Sequence, residues 1–260
     1  MSKFSLFPRL IPTLALINVY SSAQIYGNDR ETDGGDVANF GTSGFYPNAQ
    51  QDESEVISRP PVVVSSVGRQ SATLIFFHGM GDQGDGWAEL FRSNFQPNLR
   101  HLKFVVPNAR EMGGMTAWFE HRGFDDPSAD EDREGLNAVT NYAHRGFSQG
   151  GPVALYSGLS YPEPLGGILC LSGFLLPKDS LPTQIRQIPG LNMANSAVPI
   201  FIGHGLNDPN VPFSVAVSTA NALQRFDPNV ILRAYQMGHS NCATELDDAI
   251  RFIKEKAPSA

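Results

Sequence analysis

Apolar positions along this chain fall into short runs separated by polar connections rich in Gly and Pro. Ala72–Phe77 (ATLIFF), Val198–Gly203 (VPIFIG) and Val230–Tyr235 (VILRAY) are β-branched or aromatic and bounded by turn residues, the pattern of buried strands. Similar runs near 62–65, 103–106 and 166–171 predict three more. Between them apolar residues recur at helical spacing near 87–95, 129–144, 149–160, 213–226 and 243–256. In the first of these, Trp87, Leu90 and Phe91 share a face, and Pro152 falls in a first helical turn, where its missing N–H costs nothing. Alternating strands and helices predict an α/β chain: a mostly parallel sheet with helices on both faces. No internal repeat is visible.

Onto this frame the sequence places Gly146-Phe147-Ser148-Gln149-Gly150, a G-x-S-x-G nucleophile elbow. A serine on a sharp strand-to-helix turn exposes its Oγ, and the backbone comes so close to its neighbours that glycine is needed on either side. Gln149 would then offer its backbone N–H to an oxyanion. In a chain with 25 Gly, five such residues could also be an ordinary loop.

The downstream residues decide between these readings. Asp208 lies just past the 198–203 strand, in His204-Gly205-Leu206-Asn207-Asp208-Pro209, and His239 lies in the loop after the 230–235 strand. Open parallel sheets carry their active groups at such strand ends. Ser148, Asp208 and His239 follow the α/β-hydrolase order of nucleophile, acid and base. Asp-Pro is also a common turn former, and a histidine beside glycine can be a plain loop residue. Three coincidences in the right order and slots favour the triad. His204, the rival base, reads as a structural hydrogen-bonding residue, and His78, His101, His121 and His144 have no supporting context. The strand 72–77 ends in His78-Gly79-Met80-Gly81-Asp82, a turn that could aim the Met80 N–H at the serine as second oxyanion donor, or simply lead into a helix.

With these motifs in hand, six blocks in order resemble the acyl-protein thioesterase/lysophospholipase family, within the phospholipase/carboxylesterase group of α/β-hydrolases. They are ATLIFFHGMGDQGDGW (72–87), Ala117-Trp118-Phe119, GFSQGG (146–151), LSGFLLP (171–177), GHGLNDPNVP (203–212) and MGHSNC (237–242). The resemblance covers about residues 60 to 258. It implies an α/β-hydrolase fold, Ser148, Asp208 and His239 as triad, and Met80 and Gln149 as backbone oxyanion donors. It also implies that Trp118, Phe174, Leu175 and Leu176 line or flank an acyl-chain channel, although for 174–176 plain core packing fits the residues as well. Fatty-acyl thioesters on lipidated proteins, or lysophospholipids, would be the substrates, met in transient contact with a membrane surface. The triad alone would equally serve a short-chain carboxylesterase.

One region departs from the family pattern. Ser128-Ala129-Asp130-Glu131 is a capping box, and Leu136, Val139 and Ala143 continue at helical spacing, so 129 to about 144 reads as one helix. Gly146 follows almost at once. The family has an apolar strand here that delivers the serine, whereas Ala138–Arg145 (AVTNYAHR) is too polar for a central parallel strand. The fifteen residues from Glu131 to Arg145 cannot hold a helix of about ten residues, a turn and a strand of about five. A missing central strand would leave neighbouring ladders unpaired, at about 1–3 kcal/mol per buried group against about 5–15 kcal/mol of total stability. Either the sheet re-pairs, or the helix is partly sacrificed, or the sequence lacks a segment. A pseudoenzyme that keeps the triad letters without placing them is therefore the competing reading.

Composition narrows the partners. The 260 residues, 41% hydrophobic and 17% charged, suffice for one core plus a tail, and the net charge of −7 without a basic patch argues against nucleic acid. Cys170 sits in an apolar run and Cys242, three residues after His239, has no acid or base arranged around it; neither suggests a disulfide scaffold. No His/Cys/carboxylate cluster has metal-ligand spacing, the acidic run 125–134 reads as helix capping and a solvated face, and no cofactor is implied. Residues 1–59 form a separate region. Lys3 and Arg9 precede apolar Leu10–Val19, and Ser21-Ser22-Ala23 offers a small-residue cleavage site, the outline of a secretory signal too short to span a membrane. Residues 24–59, polar and aperiodic, read as disordered, leaving 60–260 as the hydrolase domain. The unpaired cysteines, the absence of a glycosylation sequon and the family resemblance favour the cytoplasm over secretion.

Overall fold

The computed structural model describes residues 13–18, 57–119, 150–161, 164–175, 193–225, 227 and 229–257, with backbone alone for 13–18, 57–58 and 193. The helix expected at 129–144, the acidic run 125–134, and Ser148, Gln149 and Leu176 lie outside the described residues.

Among the described residues, an eight-stranded sheet runs in the order β2-β4-β3-β1-β6-β7-β8, with β5 paired to β4. The strands are β1 Thr13–Asn18, β2 Ile57–Val64, β3 Ala72–Phe77, β4 Leu102–Met112, β5 Met115–Ala117, β6 Leu165–Leu171, β7 Ile200–Gly205 and β8 Val230–Tyr235. From β4 to β8 along that order all pairings are parallel; β2 joins antiparallel at the edge. The edge position suits Pro60 and Pro61, which could not complete a ladder on both sides. β2 begins at Ile57, so the boundary drawn at residue 59 falls inside a strand.

Alternation along each strand feeds two cores. Ile168 and Cys170 of β6 and Ile200 and Ile202 of β7 pack on one face, with α2 (Gly150–Ser160) and α3 (Phe213–Gln224). Leu169, Leu171 and Phe201 point to the other, with α1 (Gly84–Leu90) and α4 (Ala243–Lys256). The result is an α/β/α sandwich, as the alternating pattern predicts. α1 runs into a wider π-type turn over Phe91–Phe95 instead of ending near 95 as one regular helix. There Phe91 meets Phe76 edge-on at 4.8 Å and stacks on Phe104 at 4.9 Å.

β1 is the largest departure from the sequence reading. The stretch TLALIN, whose local pattern fits part of a secretory signal, lies between β3 and β6 and runs parallel to both. Leu14 pairs with Leu74 and Leu16 with Phe76 on one side; Leu16 pairs with Leu169 and Asn18 with Leu171 on the other, after a register slip between Thr13 and Ala15. Its near-continuous apolar sequence is what a doubly flanked parallel strand requires. The central slot is filled by residues far upstream of the elbow.

Candidate active site

The C-terminal ends of β3, β6, β7 and β8 lie together, and each leads into a loop that carries polar groups. Beyond β7, Asp208 is fixed by its own turn: Oδ1 accepts from the backbone N–H of Asn210 (2.9 Å) and Val211 (2.8 Å). Oδ2 then faces His239 Nδ1 at 2.6 Å. The loops that bring the two residues together are stitched by Leu206 N–H to Tyr235 O (2.9 Å) and Asn207 N–H to Met237 O (3.1 Å). A Cβ at Gly205 would collide with the carbonyls of Met237 and Gly238, so only glycine lets the β7 and β8 loops approach this closely.

Electrostatics define the roles of this pair. Burial would raise the Asp208 pKa, but hydrogen bonds from His204, His239 and the Val211 amide outweigh it and hold the carboxyl well below the ordinary carboxylate range. A carboxylate at Nδ1 makes that nitrogen the donor, which leaves Nε2 of His239 as the basic position. Both residues are buried. His204 is fully buried behind them; its Nε2 donates to Val211 O at 2.8 Å and lies 3.3 Å from Asp208 Oδ2. It makes a second contact to the carboxylate oxygen that His239 meets.

After β3 the chain turns through Gly79-Met80-Gly81-Asp82, closed by Asp82 N–H to Gly79 O at 3.2 Å and tied to β5 by Gly81 N–H to Thr116 O at 2.7 Å. Met80 is exposed at the turn's corner. His78, which had no supporting context in the sequence, is fully buried beneath it. Its Nδ1 lies 2.9 Å from Gly79 O, its Nε2 3.1 Å from the Ala109 N–H, and its ring 5.1 Å from the Trp118 ring. Burial, against the Gly79 bond and aided by Arg59, lowers its pKa to about 4, so the imidazole is neutral at pH 7.

Ser148 and Gln149 lie outside the described residues, but α2 begins at Gly150, directly after them. The start of α2 is pressed against the loop after β6, where a Cβ on Gly151 would strike Gly173 Cα at 2.5 Å. Trp118, Phe174 and Leu175 are buried in the core shared with α2 and α3. Leu175 N–H donates to Thr219 Oγ1 of α3 at 3.0 Å. Among the described residues no three His, Cys, Asp or Glu side chains cluster as metal ligands. Cys170 is buried, its thiol pushed up to about 12 chiefly by burial, and Cys242 precedes α4 as its N-cap.

A second buried acid escaped the sequence reading. Glu245, in the first turn of α4, reads as a surface acid favoured by the helix dipole, yet it is wholly buried against Gly203 of β7. Neither of its carboxyl oxygens has a hydrogen-bond partner among the described residues. Burial pushes its pKa up to about 8.

Comparison with known proteins places the chain among related sequences and folds. A phospholipase/carboxylesterase family profile matches residues 59–145 and 143–257. Acyl-protein thioesterase 1 of Neurospora crassa is 32% identical over 231 residues, covering 77% of this chain and 93% of that protein. Its namesake in Saccharomyces cerevisiae is 33% identical over 221 residues, covering 72% and 93%. Among solved structures, acyl-protein thioesterase 2 of Zea mays superposes with a TM-score of 0.67 at 26% identity, covering 76% of this chain and 98% of that one. The two blocks of the family match meet at 143–145, immediately before Gly146.

Proposed function

Because this chain belongs to the phospholipase/carboxylesterase family, we propose that it is a serine hydrolase cleaving fatty-acyl thioesters of S-acylated proteins, with lysophospholipid or carboxyl esters as related substrates. The observation that carries the proposal is the buried Asp208–His239 contact of 2.6 Å at the end of β7 and β8. In this mechanism His239 Nε2 takes the Ser148 Oγ proton as the oxygen attacks the acyl carbonyl. Asp208 holds the ring in the Nδ1–H tautomer and stabilises the imidazolium. The Met80 and Gln149 amides receive the oxyanion, each contributing about 3–4 kcal/mol to the transition state. Collapse expels the thiol, which takes the proton from His239, and leaves an acyl-serine. Water, deprotonated by His239, then releases the fatty acid and regenerates the serine. Trp118, Phe174, Leu175 and Leu176 are assigned to the walls of the acyl site.

The identities of the relatives support the thioester, since each is an acyl-protein thioesterase by name. The pseudoenzyme reading has lost its motive, because β1 occupies the slot whose vacancy prompted it. No helix among the described residues is long and apolar enough to cross a membrane. The pairing of residues 13–18 within the sheet, together with the family, supports a cytoplasmic enzyme meeting lipidated proteins at the membrane surface.

A fluorophosphonate probe tests the nucleophile: labelling of the purified chain should disappear in Ser148→Ala, and folded wild-type protein that never labels would refute the mechanism. Turnover of a palmitoyl thioester against a short-chain oxyester tests the substrate. A strong preference for the short ester would make the chain a carboxylesterase.

A further inference from the structure

The turn after β3 contains a buried histidine that the triad mechanism does not use. Two hydrogen bonds fix its state. Ala109 N–H can only donate, so His78 Nε2 is the acceptor at 3.1 Å, and Nδ1 must carry the proton in a neutral ring. Nδ1–H therefore donates to Gly79 O at 2.9 Å. Trp118 flanks the ring at 5.1 Å, so it is held from β4 on one side and by the post-β5 segment on the other.

Gly79 O and the Met80 N–H belong to one planar trans peptide and point in opposite directions. Pulling that carbonyl down onto the imidazole turns the amide hydrogen outward, away from the core. The same carbonyl also accepts from Asp82 N–H at 3.2 Å, which closes the turn, and Gly81 N–H ties the turn to Thr116 O at 2.7 Å. The bond from the buried ring adds an anchor on the Gly79 carbonyl itself. We propose that His78 is a positioning residue of the oxyanion hole: its Nδ1–H···O=C bond to Gly79 sets the plane of the 79–80 peptide and so aims the Met80 N–H at the developing oxyanion. The proposal rests on the reading of Met80 as a donor, and preorganisation of this kind is what makes such donors effective.

The geometry supplies its own tests. Gly81 has φ 87° and Met80 is not among the residues with positive φ, so the turn is type II with Met80 at its second position. Proline suits that position, and Met80→Pro deletes the N–H while keeping the turn. It should lower kcat by about 100-fold or more, the usual effect of losing an oxyanion donor. At position 78, Asn places an N–H where Nδ1 stands and keeps the bond to Gly79, whereas Gln reaches only the Nε2 position and keeps the bond from Ala109. His78→Gln should lower kcat by about 10- to 100-fold with KM within about twofold, and His78→Asn by less than about fivefold. Affinity for a long-chain trifluoromethyl ketone, which forms a tetrahedral oxyanion on the serine, should fall in parallel with kcat in His78→Gln, while affinity for the free fatty acid stays constant. Thermal midpoints of all variants are measured alongside. Full turnover in Met80→Pro would overturn the donor reading and the proposal with it. A normal loss in Met80→Pro beside wild-type kcat in His78→Gln, or losses in His78→Asn and His78→Gln that are equal and follow their thermal midpoints, would overturn the role of His78 alone.

Discussion

The acid–base side of the site and the nucleophile side are supported in opposite ways. Asp208 and His239 each follow their own strand by a few residues, and the two loops are joined by backbone hydrogen bonds between neighbouring strands. Sequence adjacency carries nearly all of that geometry. On the other side, the slot between β3 and β6 holds residues 13–18, far upstream in sequence, so its filling is a tertiary pairing. One half of the site is thus local and robust, and the other depends on a long-range strand insertion.

The contrast predicts that damage to the first half stops chemistry without unfolding the chain. Asp208→Asn keeps an oxygen for the Asn210 and Val211 amides but lets His239 take the wrong tautomer. We expect kcat to fall by about 10⁴-fold, with the far-UV spectrum unchanged and fluorophosphonate labelling slowed in proportion. A loss below about tenfold would mean that the 2.6 Å contact does not orient the catalytic base.

Damage to the second half should act through the fold. Leu16→Pro removes an N–H from a strand flanked on both sides by ladders, and proline in such a strand costs about 3 kcal/mol or more. In a domain of this size that corresponds to a fall of roughly 6–12 °C in thermal midpoint. Deleting residues 1–18 should do more, leaving β3 and β6 each unpaired along one edge and abolishing labelling at Ser148. Unchanged stability and activity in both variants would show that another segment fills the slot.

The same contrast explains what was legible in the sequence. β3, β6, β7 and β8 announce themselves because buried parallel strands are apolar runs of limiting length, and α4 was visible over its full 243–256 span. The loops holding Asp208 and His239 followed directly. β1 was not legible: a six-residue apolar stretch near an N-terminus has the same local pattern whether it heads a signal or completes a sheet, and only its partners distinguish the two. β5 is three residues long, below what periodicity can detect. His78 was passed over because its role lies in the plane of a peptide and in ring contacts to β4 and Trp118, none of which is written in neighbouring residues. The one sequence cue available was its place between a strand and Gly79-Met80-Gly81.

Glu245 gives the smallest effect and the finest test of the local half, since it lies against β7 just before the loop of Asp208. In the folded chain burial pushes its pKa up from 4.5 to about 8, while in the unfolded chain it ionises as an ordinary glutamate. Between those values the unfolded state has released a proton that the folded state retains. Rising pH therefore favours unfolding: the stability associated with a neutral Glu245 is complete below about pH 4.5 and is lost as pH climbs towards 8. Asp208 slopes the other way, because its depressed pKa makes stability fall as acid protonates it. Glu245→Gln is neutral at every pH and has nearly the same shape. It should match the wild type near pH 4.5 and exceed it by about 1–3 kcal/mol at pH 7.5, read from urea unfolding at the two pH values. Parallel pH profiles for the two proteins would mean that Glu245 does not hold its proton to higher pH in the fold than in the unfolded chain.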